Sequence, residues 1–148
     1  MILPHIDEHA VTIDASPAAV WDALLRVVER SFTSASFAAH ALGCHDVAAR
    51  GPRPLAVGSA IPGFHVVTAD PPHELALAGR HRFADYELIF RIDGPAGHEP
   101  DGHVRLRAES RAAFPGLTGT VYRTLVIGTG GHVLGVRHLL VTVRRQVE

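Results

Sequence analysis

Residues 8–28 read EHAVTIDASPAAVWDALLRVV, a strand that runs directly into a capped helix. His9, Val11 and Ile13 fall on one strand face, Ala10 and Thr12 on the other, and the β-branched residues favour extended backbone. Ser16 is a good N-cap, and Pro17 stands at the first helical position, where its missing N–H costs nothing. From Ala18 onward, Val20, Trp21, Leu24, Leu25 and Val28 make an apolar stripe at helical spacing, with Asp22, Arg26, Glu29 and Arg30 mostly facing water. A second helical piece is expected over Ser34–Leu42, ending near Gly43.

From His45 to Phe114 the chain reads mostly as strand. His45–Ile61 carries Gly51, Pro52, Pro54 and Gly58 and suggests a strand, a turn and another short strand. Phe64–Asp70 is a strand stopped by Pro71-Pro72, and His73–His81 is the next. In Phe83–Asp93 the even positions Tyr86, Leu88, Phe90 and Ile92 are apolar, and the odd ones include Asp85, Glu87, Arg91 and Asp93. His103–Phe114 repeats the pattern: Val104, Leu106, Ala108, Ser110 and Ala112 lie on one face, Arg105, Arg107, Glu109 and Arg111 on the other. An antiparallel sheet with one wet face is expected. Its arginines should face Glu87, Glu109 and Asp85 in weak cross-strand pairs. After Pro115-Gly116 the periodicity turns helical. Leu117, Val121, Leu125, His132, Val136, Leu139, Leu140 and Val143 share a stripe, which predicts a helix about 45 Å long. Gly128, Gly130, Gly131 and Gly135 interrupt it, so a bend near Thr129–Gly131, or two helices in series, is expected.

The 148 residues suit one domain, residues 1–148, with a core that needs neither disulfide nor metal. Lys plus Arg is 14 and Asp plus Glu is 15, every cation being arginine. Such a balance argues against nucleic acid and anionic membrane as partners. There are 11 histidines, so the molecule becomes distinctly cationic in mild acid. The single cysteine, Cys44, has no intrachain partner, and the N-terminus lacks a signal-peptide pattern. A cytoplasmic location is the resulting expectation. No apolar run is long enough to span a bilayer.

The order of strand, two helices, antiparallel strands and long C-terminal helix, with Ile13–Leu25 (IDASPAAVWDALL) as its best local match, resembles the START-related superfamily, which includes the polyketide cyclases and aromatases (the SRPBCC group). The resemblance covers nearly the whole chain. It implies an α+β helix-grip fold: a curved antiparallel sheet of about six or seven strands wrapped around a long C-terminal helix, with two short helices after the first strand. It also implies a cavity between sheet and helix for an apolar ligand. It implies no reaction, because polar cavity residues differ between its branches.

Read on the residues, the cavity wall falls to Tyr86, Leu88, Phe90, Leu106, Ala108, Ser110, Tyr122, Leu125, Thr129 and His132. Tyr86 and Ser110 place hydroxyls on an apolar face, where a ligand carbonyl is oriented or a backbone group is satisfied. His132 sits on the core-facing stripe of the last helix, as a general acid or base or as a histidine hydrogen-bonded at a helix bend. Trp21 is read as core packing, and Arg80-His81-Arg82 as a solvated hairpin tip or rim, with contact to a carboxylate-bearing ligand as the alternative. The run Gly128-Thr129-Gly130-Gly131-His132 is no phosphate loop, since the chain has no lysine and the context is helical. The pairs His5/His9, His40/His45 and His98/His103 lack zinc-ligand spacing, so no metal and no cofactor are expected. No G-x-S-x-G elbow occurs.

These readings leave three functions open. The first is binding of a small apolar molecule by a carrier or sensor, acting as monomer or homodimer. The second is a cyclase- or aromatase-like enzyme with His132 or Tyr86 moving protons. The third is a protein-interaction module with a filled core.

Overall fold

Ser16 Oγ accepts the Ala19 N–H at 3.2 Å, and helix α1 (Pro17–Phe32) starts there with proline in its first turn. A computed structural model describes residues 2–94, 103–126 and 131–148, with backbone alone at 34, 124–126 and 131. Before α1 lies strand β1 (His5–Ile13). After it come a 3-10 turn (Thr33–Ala35) and helix α2 (Ser36–Leu42). Gly43 ends α2 at φ 72°, a conformation that glycine adopts at no steric cost. The N–H groups of Gly43 and Cys44 then close onto the carbonyls of His40 and Ala39.

The remaining strands are β2 (Ala60–Ile61), β3 (Phe64–Asp70), β4 (Glu74–His81), β5 (Ala84–Asp93) and β6 (Val104–Ala113). All six form one antiparallel sheet in the order β1-β6-β5-β4-β3-β2. Register shifts between His5 and Asp7 and between Val66 and Thr68 locally disturb the ladders, and such irregularities help a sheet bend. The curved sheet wraps the C-terminal helix, with two short helices after β1, as the helix-grip reading requires.

One expectation changes. Between His45 and Ile61 the expected strand pair shrinks to an isolated bridge, Arg50 to Ala60, and the two-residue β2. Pro52 and Pro54 have no N–H to donate to a ladder. Ser59 Oγ organises this loop instead, accepting Ala56 N–H at 3.0 Å and donating to Pro52 O at 2.6 Å. The C-terminal segment does not change in this way: of the two forms expected for it, two helices in series are found, α3 (Gly116–Val126) and α4 (Gly131–Val147). Thr129 and Gly130, where the bend was expected, lie outside the described residues.

The core joins three layers. Val20, Leu24, Val27 and Val28 of α1 meet Leu139, Leu140 and Val143 of α4 and the inward residues Leu75, Leu77, Phe90, Leu106 and Val104 of the sheet. Trp21 belongs to this cluster, as its place on the apolar stripe suggested. The outer sheet face is charged as expected; Arg111 meets its expected partners Glu109 and Glu87, and the remaining pairings differ. Glu109 is the hub, accepting from Arg91 at 2.8 Å, Arg111 at 2.9 Å and His5 at 2.8 Å. Arg107 pairs with Asp93 and Glu8, and Asp85 pairs with Arg80 on β4 instead of with a β6 arginine.

Candidate functional site

At one end of the grip the sheet and the helices do not close. A cavity of about 390 Å³ lies between them. Its floor is sheet: Phe64 of β3, His81 of β4, Tyr86 and Leu88 of β5, Ser110 and Ala112 of β6. The helical segments supply Phe32, Ala35, Ala38, Ala39 and Leu42 on one side, and Tyr122, His132, Gly135 and Val136 on the other. Small residues keep the space open. Ala35, Ala38, Ala39, Ala112 and Gly135 project too little to fill it.

Five of the expected wall residues are brought together here: Tyr86, Leu88, Ser110, Tyr122 and His132. Phe90, Leu106 and Ala108 share the same sheet face but lie farther along it, buried in the core cluster with α1 and α4. Leu125 is in α3, without a described side chain, and Thr129 is outside the described residues. The sequence reading left His81 at a solvated tip or rim and missed Cys44, Phe32, Phe64 and the alanines of α2. A signal existed for His81. Leu75, Leu77, Gly79 and His81 continue one period-two face of β4, which turns His81 inward, away from a solvated tip.

The polar groups of the wall are bonded in specific ways. Tyr86 Oη donates to Gly63 O at 2.5 Å, and Cys44 Sγ lies 3.8 Å from the same Tyr86 oxygen. Gly79 makes room for this ring, because a Cβ there would collide with Gly63 O and the Tyr86 ring. Burial, and then the Cys44 contact, push the Tyr86 phenol above its ordinary pKa. His132 Nε2 lies 3.0 Å from Ser110 Oγ and 3.4 Å from Asp7 Oδ1, and Asp7 Oδ2 lies 3.3 Å from His9 Nε2. Serine and aspartate thus approach the same nitrogen of His132. A nucleophilic relay needs them on opposite nitrogens.

Near the mouth, His81 contacts Tyr122 at 4.9 Å and Tyr86 at 5.2 Å between ring centroids, and Tyr122 stacks on Phe83 at 5.3 Å. Burial lowers the His81 pKa, with the Asp85 charge working the other way, and burial raises that of Tyr122. Both rings are therefore uncharged at neutral pH. Behind the rim, Asp46 is fully buried and receives Arg50 Nη2 at 2.6 Å and His65 Nδ1 at 2.8 Å. Burial disfavours its charge, but these two hydrogen bonds outweigh it and hold the carboxyl below its ordinary pKa. The Asp46 carbonyl also accepts Gly63 N–H at 2.7 Å, which ties this buried anchor to the residue that holds Tyr86. Among the described residues no group of three or more His, Cys, Asp or Glu is arranged to hold a metal ion. No described helix is long and apolar enough to cross a membrane.

No protein-family model matches the sequence, and no curated protein is similar to it. Solved structures are similar in fold. A START superfamily protein from Mycobacterium smegmatis superposes with a TM-score of 0.51 at 12% identity, over 96% of this chain and 98% of that one. A protein from Nitrosospira multiformis gives 0.56 at 14% identity, over 98% and 97%. CalU16 from Micromonospora echinospora gives 0.54 at 16% identity, over 96% and 83%. Identities this low speak for architecture alone, and at that level the chain has the START-like helix-grip fold.

Proposed function

We propose that this protein binds a small apolar molecule in the cavity between the sheet and the helices, as a carrier, sensor or sequestering protein. The observation that carries the reading is the cavity itself: about 390 Å³, walled mostly by aliphatic and aromatic side chains. That volume lies within the range of small-molecule sites. A wall of alanines around open space costs packing energy, because side chains on an unfilled void lose their dispersion contacts. An apolar ligand restores those contacts and gains about 25 cal/mol per Å² of buried apolar surface before binding costs. Native mass spectrometry of freshly purified protein tests the proposal. A co-purifying small molecule, lost in the filled-cavity variant Ala112→Phe, is expected. Apo protein that takes up no apolar dye at micromolar concentration contradicts it.

A cyclase- or aromatase-like activity is the second reading. It is favoured by one observation: Tyr86 and His132 line the same cavity. Against it, the Tyr86 proton is engaged by Gly63 O and its ionisation is suppressed. His132 is the better proton-transfer group, with Ser110 and Asp7 orienting it. If His132→Ala abolished turnover of a cyclisable polyketone while leaving its affinity intact, the enzyme reading would replace the carrier reading.

A further inference from the structure

We infer that His81 and Tyr122 form a donor pair that seats the acceptor oxygen of an uncharged aromatic ligand, such as an aryl ketone, aldehyde or ether. The inference rests on the proposal of cavity binding and names the ligand class that the cavity admits.

Sorting the polar wall groups by whether their hydrogen bonds are already used leads there. Tyr86 has donated to Gly63 O. Ser110 and His132 are bonded to each other. His81 Nδ1 accepts the backbone N–H of Phe83 at 3.0 Å, so the neutral ring carries its proton on Nε2. Among the described residues that Nε2–H has no partner, and neither has the Tyr122 hydroxyl. The two rings touch edge to face at 4.9 Å, so the unused donors sit on adjacent side chains of one wall. A ligand that buries an N–H or O–H without an acceptor loses a hydrogen bond to water, so a molecule bringing an oxygen to this pair is selected over one that brings none.

Charge decides between kinds of oxygen. Burial keeps both donors neutral. The charged residues on the described wall, Glu87 and Arg111, are cross-strand partners of opposite sign. The Arg111 guanidinium already bonds Glu109 at 2.9 and 3.2 Å. A carboxylate entering the cavity would be desolvated with no free cation on the described wall, whereas a carbonyl or ether oxygen needs only the two neutral donors. The rings of Phe64, Tyr86, Phe114 and Tyr122 on the same wall suit a flat aromatic body.

The test uses three naphthalenes of one shape: 2-acetylnaphthalene, 2-isopropylnaphthalene and 2-naphthoate. Their fluorescence is titrated with the full-length protein and its His81→Phe and Tyr122→Phe variants. Comparing the ketone with the hydrocarbon within each protein cancels the difference in their hydration. The ketone's advantage over the hydrocarbon should shrink about fivefold in each variant, as loss of one hydrogen bond implies. The naphthoate should bind weakest. Tyr122→Phe keeps its ring, so it remains informative if His81→Phe folds poorly. An advantage that is unchanged in either variant, or a naphthoate that binds tightest, overturns the donor pair while leaving cavity binding in place. If none of the three binds wild-type protein, both readings fall.

Discussion

Gly79 offers a sharp test of how the cavity wall is built. Its backbone is one that alanine adopts freely, since its φ is not positive. By conformational entropy alone Gly79→Ala should therefore stabilise the protein by roughly 0.5–1 kcal/mol. Packing says the reverse. A Cβ at Gly79 would overlap Gly63 O and Tyr86 Cε2 and come within 2.6 Å of Tyr86 Cζ. Gly63 O is backbone, so that peptide must shift as well as the Tyr86 ring, and the hydrogen bond between them is disturbed. Overpacking of this kind costs about 1–3 kcal/mol, and loss of the Tyr86–Gly63 hydrogen bond about 1 kcal/mol more. After subtracting the entropic gain, the net is about 1–3 kcal/mol of destabilisation, or a fall in Tm of roughly 3–12 °C for a chain of this length. The assay is urea denaturation monitored by far-UV circular dichroism, with Gly135→Ala as the opposite control. A Cβ at Gly135 meets nothing within 4 Å, and its helical site should gain up to about 1 kcal/mol. A Gly79→Ala protein as stable as wild type, or more so, would refute the packing of Tyr86 against this glycine.

The core and the charged face give further expected outcomes. Leu140 is fully buried between α4, α1 and the sheet, so Leu140→Ala should cost roughly 2–5 kcal/mol in equilibrium denaturation. Three donors, Arg111 first, hold the Glu109 carboxyl at about 2, although burial opposes ionisation. A folded pKa below the unfolded value of 4.5 gives stability that is complete above that pH and is lost as pH falls toward 2. The upper limit is about 3 kcal/mol, and Glu109→Gln should remove that acid-dependent loss when stability is measured from about pH 6 to about pH 3. The half-buried His81 ring has the opposite charge type and a lowered pKa. Its contribution is complete above the ordinary value of 6.5 and declines as pH falls through that range, so His81→Phe should flatten the stability profile just below pH 6.5.

What was legible in the chain was local. The Ser16 cap, Pro17 and the stripe from Val20 to Val28 fix α1 within a few residues of each other. The alternation from Tyr86 to Ile92 and from Val104 to Ala112 fixes which sheet face turns inward. Period two names a face and says nothing about what covers it. Phe90, Leu106 and Ala108 therefore looked like Tyr86 and Ser110, although α1 and α4 cover the first group and the second faces open space. The alanines of α2 carry no local mark of a ligand wall. They become one because the 3-10 turn and the Gly43 cap set that short helix across the sheet. Asp46 was equally silent, since its partner His65 arrives from another element and only folding brings the two together. That the C-terminal segment is two helices was foreseeable from glycine cost. How α3 lies beside Phe83 and His81 depends on ring contacts across the chain.

Backbone amide NMR shifts during titration with 2-acetylnaphthalene address the ligand-holding cavity most directly. Saturable shifts should concentrate on His81, Tyr86, Ser110, Tyr122 and His132, leave the outer-face residues Arg91 and Arg107 in place, and vanish in Ala112→Phe. Shifts that never saturate, that gather on the outer face, or that persist when Ala112→Phe fills the space would contradict a binding site between sheet and helices.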